Sequence, residues 1–441
     1  MQMNFTEAND YINSLGRNEI NPGLKRIEAL CGEIENPQNN FSVIQITGTN
    51  GKTSTARITA SLLNAHGIRT GTYTSPHLSS ITERFEIDGE QISKKDFSDA
   101  LTLIMPGINK VNERFSPDKL SYFEVVTALA LIIFKKKNVK CAVLEVGMGG
   151  RWDATSISNP KVSVITNVEL DHTDRLGDTV SQIAWEKAHI IKSGSTAIVG
   201  ELSVESLKIV KKRCVSEGVD LKVFNKDFFL INENMNKFSI NGIYGHYNNL
   251  SLNLLGRNQL KNACLAVVAS EAFLKGPLST ERTREGLDKV KCPGRLEVIS
   301  QKPLILLDGA HNPAGAKELA YALKNNFVYD KLIIVIAILK DKDVKGIIDE
   351  LIPITSFAVL TENKNERCAP CDFLRDYIGD IGYDCVKNIP DSLQIALKKA
   401  GASDLICVTG SLSTIAEARE FLLRKCRRNF EGKKGKLSKH N

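Results

Sequence analysis

The chain has 441 residues, 42% of them hydrophobic and 25% charged, with a formal net charge of +7. That length exceeds what one hydrophobic core supports, so two domains are expected, and the composition is globular rather than disordered or fibrous. From Arg424 onward the chain sets eight basic residues against one acid, Glu431, which is the whole excess; the charge marks a tail, and no nucleic-acid partner is expected of the body.

Met1 to Asp10 has neither a cationic start nor an apolar core, so no secretory signal is expected. The longest apolar runs, Val125–Phe134 and Leu332–Leu339, are too short to span a bilayer. The expected compartment is the cytoplasm. The ten cysteines are scattered and expected to be reduced core residues. Cys368-Ala-Pro-Cys371 is the only C-x-x-C, and without a second pair it does not suggest a zinc site.

The first strong element is a strand over Val43–Thr47. It runs into Gly48-Thr49-Asn50-Gly51-Lys52-Thr53-Ser54, after which Ala56, Ile58, Leu62 and Leu63 recur at helical spacing. A strand that turns through glycines into a helix N-terminus gathers backbone N–H groups at the positive end of the helix dipole. Lys52 adds a mobile cation and the Thr53 hydroxyl can reach a Mg²⁺, so ATP is the expected ligand, cradled by Gly48, Thr49, Asn50, Gly51, Lys52 and Thr53. Ile46 stands where a strict phosphate loop has its first glycine, so this is a shorter form. A tight turn with an incidental lysine is the competing reading.

A predicted helix, Phe123–Lys136, leads to a strand over Ala142–Val146. Glu145 on that strand is followed by Gly147-Met148-Gly149-Gly150-Arg151-Trp152-Asp153. Parallel sheets bind ligands beyond the carboxyl ends of their strands. A carboxylate there, beside a glycine-rich turn, suits a Mg²⁺ ligand; the alternative is a surface glutamate before a loop. The strand Val162–Asn167 leads to Asp171-His172-Thr173, where His172 is either a further ligand or a loop histidine. Thr53, Glu145 and His172 thus each fall just past a predicted strand. In the predicted helix Val180–Lys192, Lys187 lies within a turn of Ile183, Ile190 and Ile191 and is expected to be semi-buried. The residues alone favour a snorkelling lysine or a partner for Glu186. A strand over Thr196–Val199 follows, then short strands and turns over 201–256. Strands alternating with helices imply a parallel sheet covered on both faces.

Cys292-Pro293-Gly294-Arg295 is a breaker cluster and the expected domain boundary. Beyond it, strands over Leu304–Leu307, Leu332–Ile338, Phe357–Leu360 and Leu405–Val408 alternate with helices over Ala314–Asn325, Val344–Leu351, Cys371–Ile378, Ser392–Ala400 and Ser413–Arg424. This smaller domain is doubly wound but has no Gly-x-Gly-x-x-Gly of its own. Leu307-Asp308-Gly309-Ala310-His311-Asn312-Pro313 packs three polar side chains into the turn before a helix, either as a ligand-facing edge or as a local cap. The expected architecture is α/β: an N-terminal P-loop parallel-sheet ATPase domain over 1–298, a Rossmann-like C-terminal domain over 299–425, and a basic, disordered tail over 426–441.

Together these segments resemble the folylpolyglutamate synthase/dihydrofolate synthase family, a branch of the Mur-type ATP-dependent amide ligases. The resemblance rests on Gly48-Thr-Asn-Gly-Lys-Thr-Ser54, Tyr73-Thr-Ser-Pro-His-Leu78, Leu144-Glu-Val-Gly-Met-Gly-Gly-Arg-Trp-Asp-Ala-Thr155, Asp171-His-Thr173 and Glu186-Lys-Ala188. It continues through Gly256-Arg-Asn-Gln-Leu-Lys-Asn-Ala263, Pro293-Gly-Arg-Leu-Glu297, Leu307-Asp-Gly-Ala-His-Asn-Pro313 and Gly410-Ser-Leu412. The glycine loop is shared by all Mur-type ligases; the Ser-Pro-His-Leu and Asp-Gly-Ala-His-Asn-Pro segments belong to the folate branch.

The resemblance implies an enzyme, an ATP-dependent ligase that adds L-glutamate to a pteroate or folate carboxylate through an acyl phosphate. It implies that Thr53, Ser75, Glu145 and His172 hold magnesium, joined by Lys187 as a carbamate, an oxygen donor of the sort a hard ion accepts. That implication reverses the plain reading of Lys187. Lys52, His172 and Lys187 would serve catalysis. Asn262, Arg295, Asp308 and His311 match positions that hold ATP, and Tyr122, Phe123, Trp152 and Asp153 fall near the pterin side. Trp152 stands where the family usually carries a smaller apolar residue, and Asn258 where a histidine is common. The expected partners are small molecules only (the pterin acid or folate, L-glutamate and ATP), with no membrane and no second subunit. The rivals are a Mur-type ligase for another acid and amine, and a nucleotide-binding module without chemistry.

Overall fold

The computed structural model describes residues 2–16, 22–234 and 237–437. They fall into two compact units, one formed by Met1–Asn253 with Asn258–Lys291, the other by Leu254–Arg257 with Cys292–Asn441.

The first unit is built on β1 (Ser42–Thr47), β2 (Thr70–Tyr73), β3 (Phe85–Ile87), β4 (Glu90–Gln91), β5 (Cys141–Glu145), β6 (Val162–Asn167), β7 (Thr196–Glu201) and β8 (Asp220–Val223). Their order in the sheet is β4-β3-β2-β5-β1-β6-β7-β8. β2, β5, β1, β6, β7 and β8 pair in parallel, while β3 and β4 add an antiparallel edge beyond β2. The apolar strands β1 and β5 are buried along nearly their whole length, as strands covered on both faces must be. The helix Tyr122–Lys136 buries twelve of its residues, from Tyr122 to Phe134, because its sequence is apolar all round. Ser121 caps it and takes part in a capping box with Glu124. Residues 201–256 do hold short strands: β9 (Phe229–Asn234), β10 (Lys237–Asn241) and β11 (His246–Leu250) form a separate antiparallel sheet.

The chain leaves β1 toward β2 on one side and returns through β5 before crossing to β6 on the other. The carboxyl end of β1 therefore lies at the point where strand order reverses, the place where open parallel sheets bind ligands.

The second unit carries β12 (Glu297–Gln301), β13 (Leu304–Leu307), β14 (Leu332–Ile336), β15 (Phe357–Thr361), β16 (Tyr383–Val386) and β17 (Leu405–Thr409), in the order β12-β13-β17-β14-β15-β16. All pairs are parallel except β12 with β13. The α/β class expected from the sequence is what the chain adopts.

Three local expectations are corrected. The last helix spans Leu412–Leu437, so 426–437 is helical backbone rather than a disordered tail; Arg, Lys, Glu and Leu are good helix formers and no proline intervenes. Residues 438–441 lie outside the described residues. Cys371 and Cys385 are joined as a disulfide, not left reduced, because β16, a strand unmarked in the sequence pattern, brings Cys385 beside the helix Cys371–Arg375. The helix expected to reach Lys192 ends at Ala188. Among the described residues no helix is long and apolar enough to cross a membrane.

Candidate active site

The loop after β1 is held by the end of β6. Asn167 Oδ1 accepts the backbone N–H groups of Thr49 (3.1 Å) and Asn50 (2.8 Å). Asn50 Nδ2 donates to Glu169 Oε2 at 3.0 Å, and the Thr166 hydroxyl donates to the Asn50 carbonyl at 2.5 Å. Gly51, with φ of 82°, caps the helix Lys52–Ala65 without any side-chain acceptor, so the first-turn N–H groups of that helix face an open N-terminus. A β-carbon at Gly51 would lie 2.5 Å from Asn262 Oδ1, which puts Asn262 directly against the phosphate loop. Lys52 folds back and donates to the carbonyls of Gly48 (3.0 Å) and Thr49 (3.1 Å).

Glu145 and Thr53 meet as the sequence pattern suggests. The Thr53 hydroxyl donates to Glu145 Oε1 at 2.8 Å, and the Ser75 backbone N–H donates to Oε2 at 3.0 Å. Two oxygens bound to one Mg²⁺ at 2.0–2.1 Å in an octahedron stand about 2.9 Å apart. The Thr53–Glu145 pair therefore fits a divalent ion. Ser75 contributes its backbone N–H to Glu145, where a hydroxyl ligand was expected.

Lys187 corrects its semi-buried expectation: it is 4% exposed and donates to the Gly48 carbonyl at 2.8 Å. Burial and the neighbouring Lys52 charge push its amine down to about 7, while Asp171 and Asp153 pull the other way. His172 adopts a left-handed φ of 51°; its N–H donates to Asp171 Oδ1 at 2.9 Å, and its ring is exposed. Gly48, Lys52, Gly147, Gly149, His172 and Lys187 line one cleft.

On the expected pterin side, Phe123 packs against Gly147, where a β-carbon would fall 2.6 Å from its ring. Tyr122 is buried under the Arg84 guanidinium, 5.5 Å from its ring centre. Asp153 is buried and its carboxylate caps the following turn, accepting the N–H and hydroxyl of Thr155 and the N–H of Met148. That carboxylate shapes the glycine loop. Trp152 is 46% exposed.

Within the second unit, Asp308 accepts the N–H groups of Leu296 and Ala310, both at 2.9 Å. Burial raises its carboxyl and Arg295 opposes the rise. His311 Nδ1 bonds the Gly309 carbonyl at 2.8 Å, and Asn312 caps the helix Pro313–Asn326. The local-cap reading thus holds for Asn312, and Arg295, Asp308 and His311 form one cluster. Sequence reasoning missed Asn167 and Glu169 as organisers of the loop; their only signal was position at and just past the end of β6.

A phosphate loop at the central strand, a Thr–Glu oxygen pair and a buried lysine together define an ATP-dependent ligase of the Mur type. The Mur ligase middle domain matches residues 46–270, and the Mur ligase glutamate ligase domain matches residues 294–412. The chain is 35% identical over 437 residues to the dihydrofolate synthase/folylpolyglutamate synthase of Mycobacterium tuberculosis, covering 91% of this chain and 90% of that one. It is 33% identical over 434 residues to the folylpolyglutamate synthase of Lacticaseibacillus casei, covering 96% and 99%. The Mycobacterium tuberculosis folylpolyglutamate synthase solved with ADP and AMPPCP superposes with a TM-score of 0.90 at 33% identity, covering 95% of this chain and 99% of that one. The bifunctional folylpolyglutamate/dihydrofolate synthase solved with Mn, AMPPNP and L-glutamate gives 0.84 at 28% identity, covering 94% and 98%. The chain belongs to the Mur ligase family, in its folylpolyglutamate synthase/dihydrofolate synthase branch.

Proposed function

We propose that the chain joins L-glutamate to the carboxylate of a pterin acid or folate, using ATP and Mg²⁺. The observation that carries this is the phosphate loop set beside the Thr53–Glu145 oxygen pair. A carboxylate is a poor electrophile. Transfer of the ATP γ-phosphoryl to it makes an acyl phosphate, the glutamate amine attacks the acyl carbon, and phosphate leaves. Two anions must approach, so the open helix N-terminus and Lys52 neutralise charge on the transferring group. Lys52 reaches it by releasing the carbonyls of Gly48 and Thr49. No side-chain nucleophile is required.

Thr53, Ser75, Glu145 and His172 would hold the Mg²⁺, the Thr53–Glu145 oxygen pair supporting this, and the ion would screen the phosphate charge. Lys187 is proposed to carry a carbamate; its burial against Gly48 supports a group that acts at the loop, and bicarbonate should restore activity lost on CO₂ depletion. Asn262, Arg295, Asp308 and His311 are the proposed ATP contacts outside the loop. Tyr122, Phe123, Trp152 and Asp153 are proposed to shape the acceptor side, Asp153 through the loop that it caps. The enzyme is proposed to act as a cytoplasmic monomer, with 1–298 and 299–425 as its two functional domains.

The test is mass spectrometry of products formed from dihydropteroate, or from a reduced folate, with ATP and L-glutamate. A product heavier by one or more glutamyl residues, with ATP consumed only when both acid and glutamate are present, is expected. ATP consumption without either substrate would overturn the reading in favour of another chemistry.

A further inference from the structure

In the second unit, Cys371 opens a short helix and Cys385 stands on β16; their sulfurs are joined across 14 residues, with the Cα atoms 5.8 Å apart. Among the described residues seven further cysteines stay as thiols, six of them buried. Cys368, the other half of the C-x-x-C motif, is not part of the pair. Its Sγ accepts the Asn363 N–H at 3.3 Å, and burial raises its thiol, so it holds little thiolate. The two bonded sulfurs are unlike: Cys371 is buried, whereas Cys385 is exposed on the edge strand of the sheet. A thiolate from solution therefore meets the bond at Cys385, with Cys371 as the departing sulfur. The Cα separation is ordinary for a disulfide, so the bond can open and close without a prior backbone movement.

The bond fastens an element with few other ties. β16 pairs with β15 and has no strand on its other side among the described residues. The helix has five residues, too few to persist without packing. Disulfides are rare where glutathione keeps thiols reduced, and those that occur there mostly change state; the proposed cytoplasmic location puts this one in that class. The segment before Cys371 joins the element to the Asp308 cluster. The Cys371 N–H donates to Glu362 Oε1 at 3.1 Å, and Asn363 Nδ2 donates to the hydroxyls of Ser411 (3.2 Å) and Thr414 (3.0 Å). Gly410, beside Ser411, donates its N–H to the Ala310 carbonyl at 3.2 Å, and the Ala310 N–H donates to Asp308.

We propose that Cys371 and Cys385 form a reversible thiol–disulfide switch whose opening by a thiol reductant loosens β16 and weakens nucleotide binding at the Asp308 cluster. The last part rests on the reading of Asp308 and His311 as ATP contacts. In the opening step a reductant thiolate bonds to Cys385 Sγ and the bond to Cys371 breaks, Cys371 leaving as a thiolate that takes a proton from water. A second thiolate attacks the reductant's sulfur in that mixed disulfide. Cys385 then leaves and is protonated, and the reductant departs as its own disulfide. Two electrons pass to the protein.

The test is differential alkylation and mass spectrometry of the full chain equilibrated in glutathione buffers from fully reduced to fully oxidised. Cys371 and Cys385 should pass from thiols to disulfide within that series. Hydrogen exchange over 371–386 should be about a hundred-fold faster in the open form, the effect of releasing a loop of this length, with β14 and β17 unchanged. Calorimetry should show ATP bound about five-fold more weakly by the open form, at the low end of coupling between sites. Cys385→Ser should behave as the open form in every buffer, and Cys368→Ser as the wild type. A bond that persists in reduced glutathione, a pair that stays as thiols in oxidised glutathione, or equal exchange in both states would overturn the switch. So would stoichiometric Zn²⁺ uptake by the reduced protein that Cys385→Ser abolishes. That result would assign Cys371, Asp372 and Cys385, whose ligand atoms lie within 4.8 Å of one another, to a metal. Equal ATP affinity beside a clear exchange difference would overturn the coupling to the cluster. If neither form binds ATP, the nucleotide reading fails while alkylation and exchange still decide the switch.

Discussion

Replacing Lys187 by Met removes a buried cation while keeping an unbranched chain of similar length. In the unfolded chain this amine holds its proton up to its ordinary value of 10.5; in the fold, burial and Lys52 lower it to about 7. Between those values the unfolded state binds more protons, so folding becomes more favourable as pH rises through that window. Below 7 the penalty is fully present and constant. From pH 7 to 9 the wild type should gain about 2 kcal/mol relative to Lys187→Met, at about 1.4 kcal/mol per pKa unit. The lost bond to Gly48 does not titrate, so it cancels from the slope. Since both tryptophans lie in the first unit, their emission follows its thermal unfolding, and the difference in Tm between the two proteins should change by about 4 °C across that range. The melts are run in CO₂-depleted buffer so that the amine stays unmodified. Parallel pH profiles for the two proteins would refute the claim that this lysine is desolvated against the phosphate loop.

Lys52→Ala should fold normally and lose on the order of 10²-fold or more in ligation rate, since it removes charge stabilisation of the transferring phosphoryl group; near-normal turnover would end that role. Gly51→Ala forces a side chain into a left-handed backbone, with its β-carbon 2.5 Å from Asn262 Oδ1, and should weaken ATP binding at least about ten-fold in calorimetry. Wild-type affinity would show that the loop is not the nucleotide cradle. Asp308→Ala leaves the N–H groups of Leu296 and Ala310 without their acceptor, at about 1–3 kcal/mol each, and should raise the KM for ATP. A melt shifted with KM unchanged would assign Asp308 a purely structural part.

The glycine loop, the strand that feeds it and the helix that leaves it were legible in the sequence because they are local. Apolar periodicity, φ-permissive glycines and a lysine at fixed spacing act within a dozen residues. Glu145 and His172 were legible as candidates by the same logic, one ending a strand and the other lying just past one. What the sequence left open was decided by packing between segments far apart in the chain. Lys187 reads as a semi-buried, snorkelling lysine until its helix is laid on the sheet and its amine is carried to the Gly48 carbonyl, 139 residues away. Asp153 gives no local sign of its role as a cap until the glycine turn folds around it and uses both carboxylate oxygens. Local sequence determines what a backbone segment can become. Which polar groups are desolvated depends on what the rest of the chain places against them.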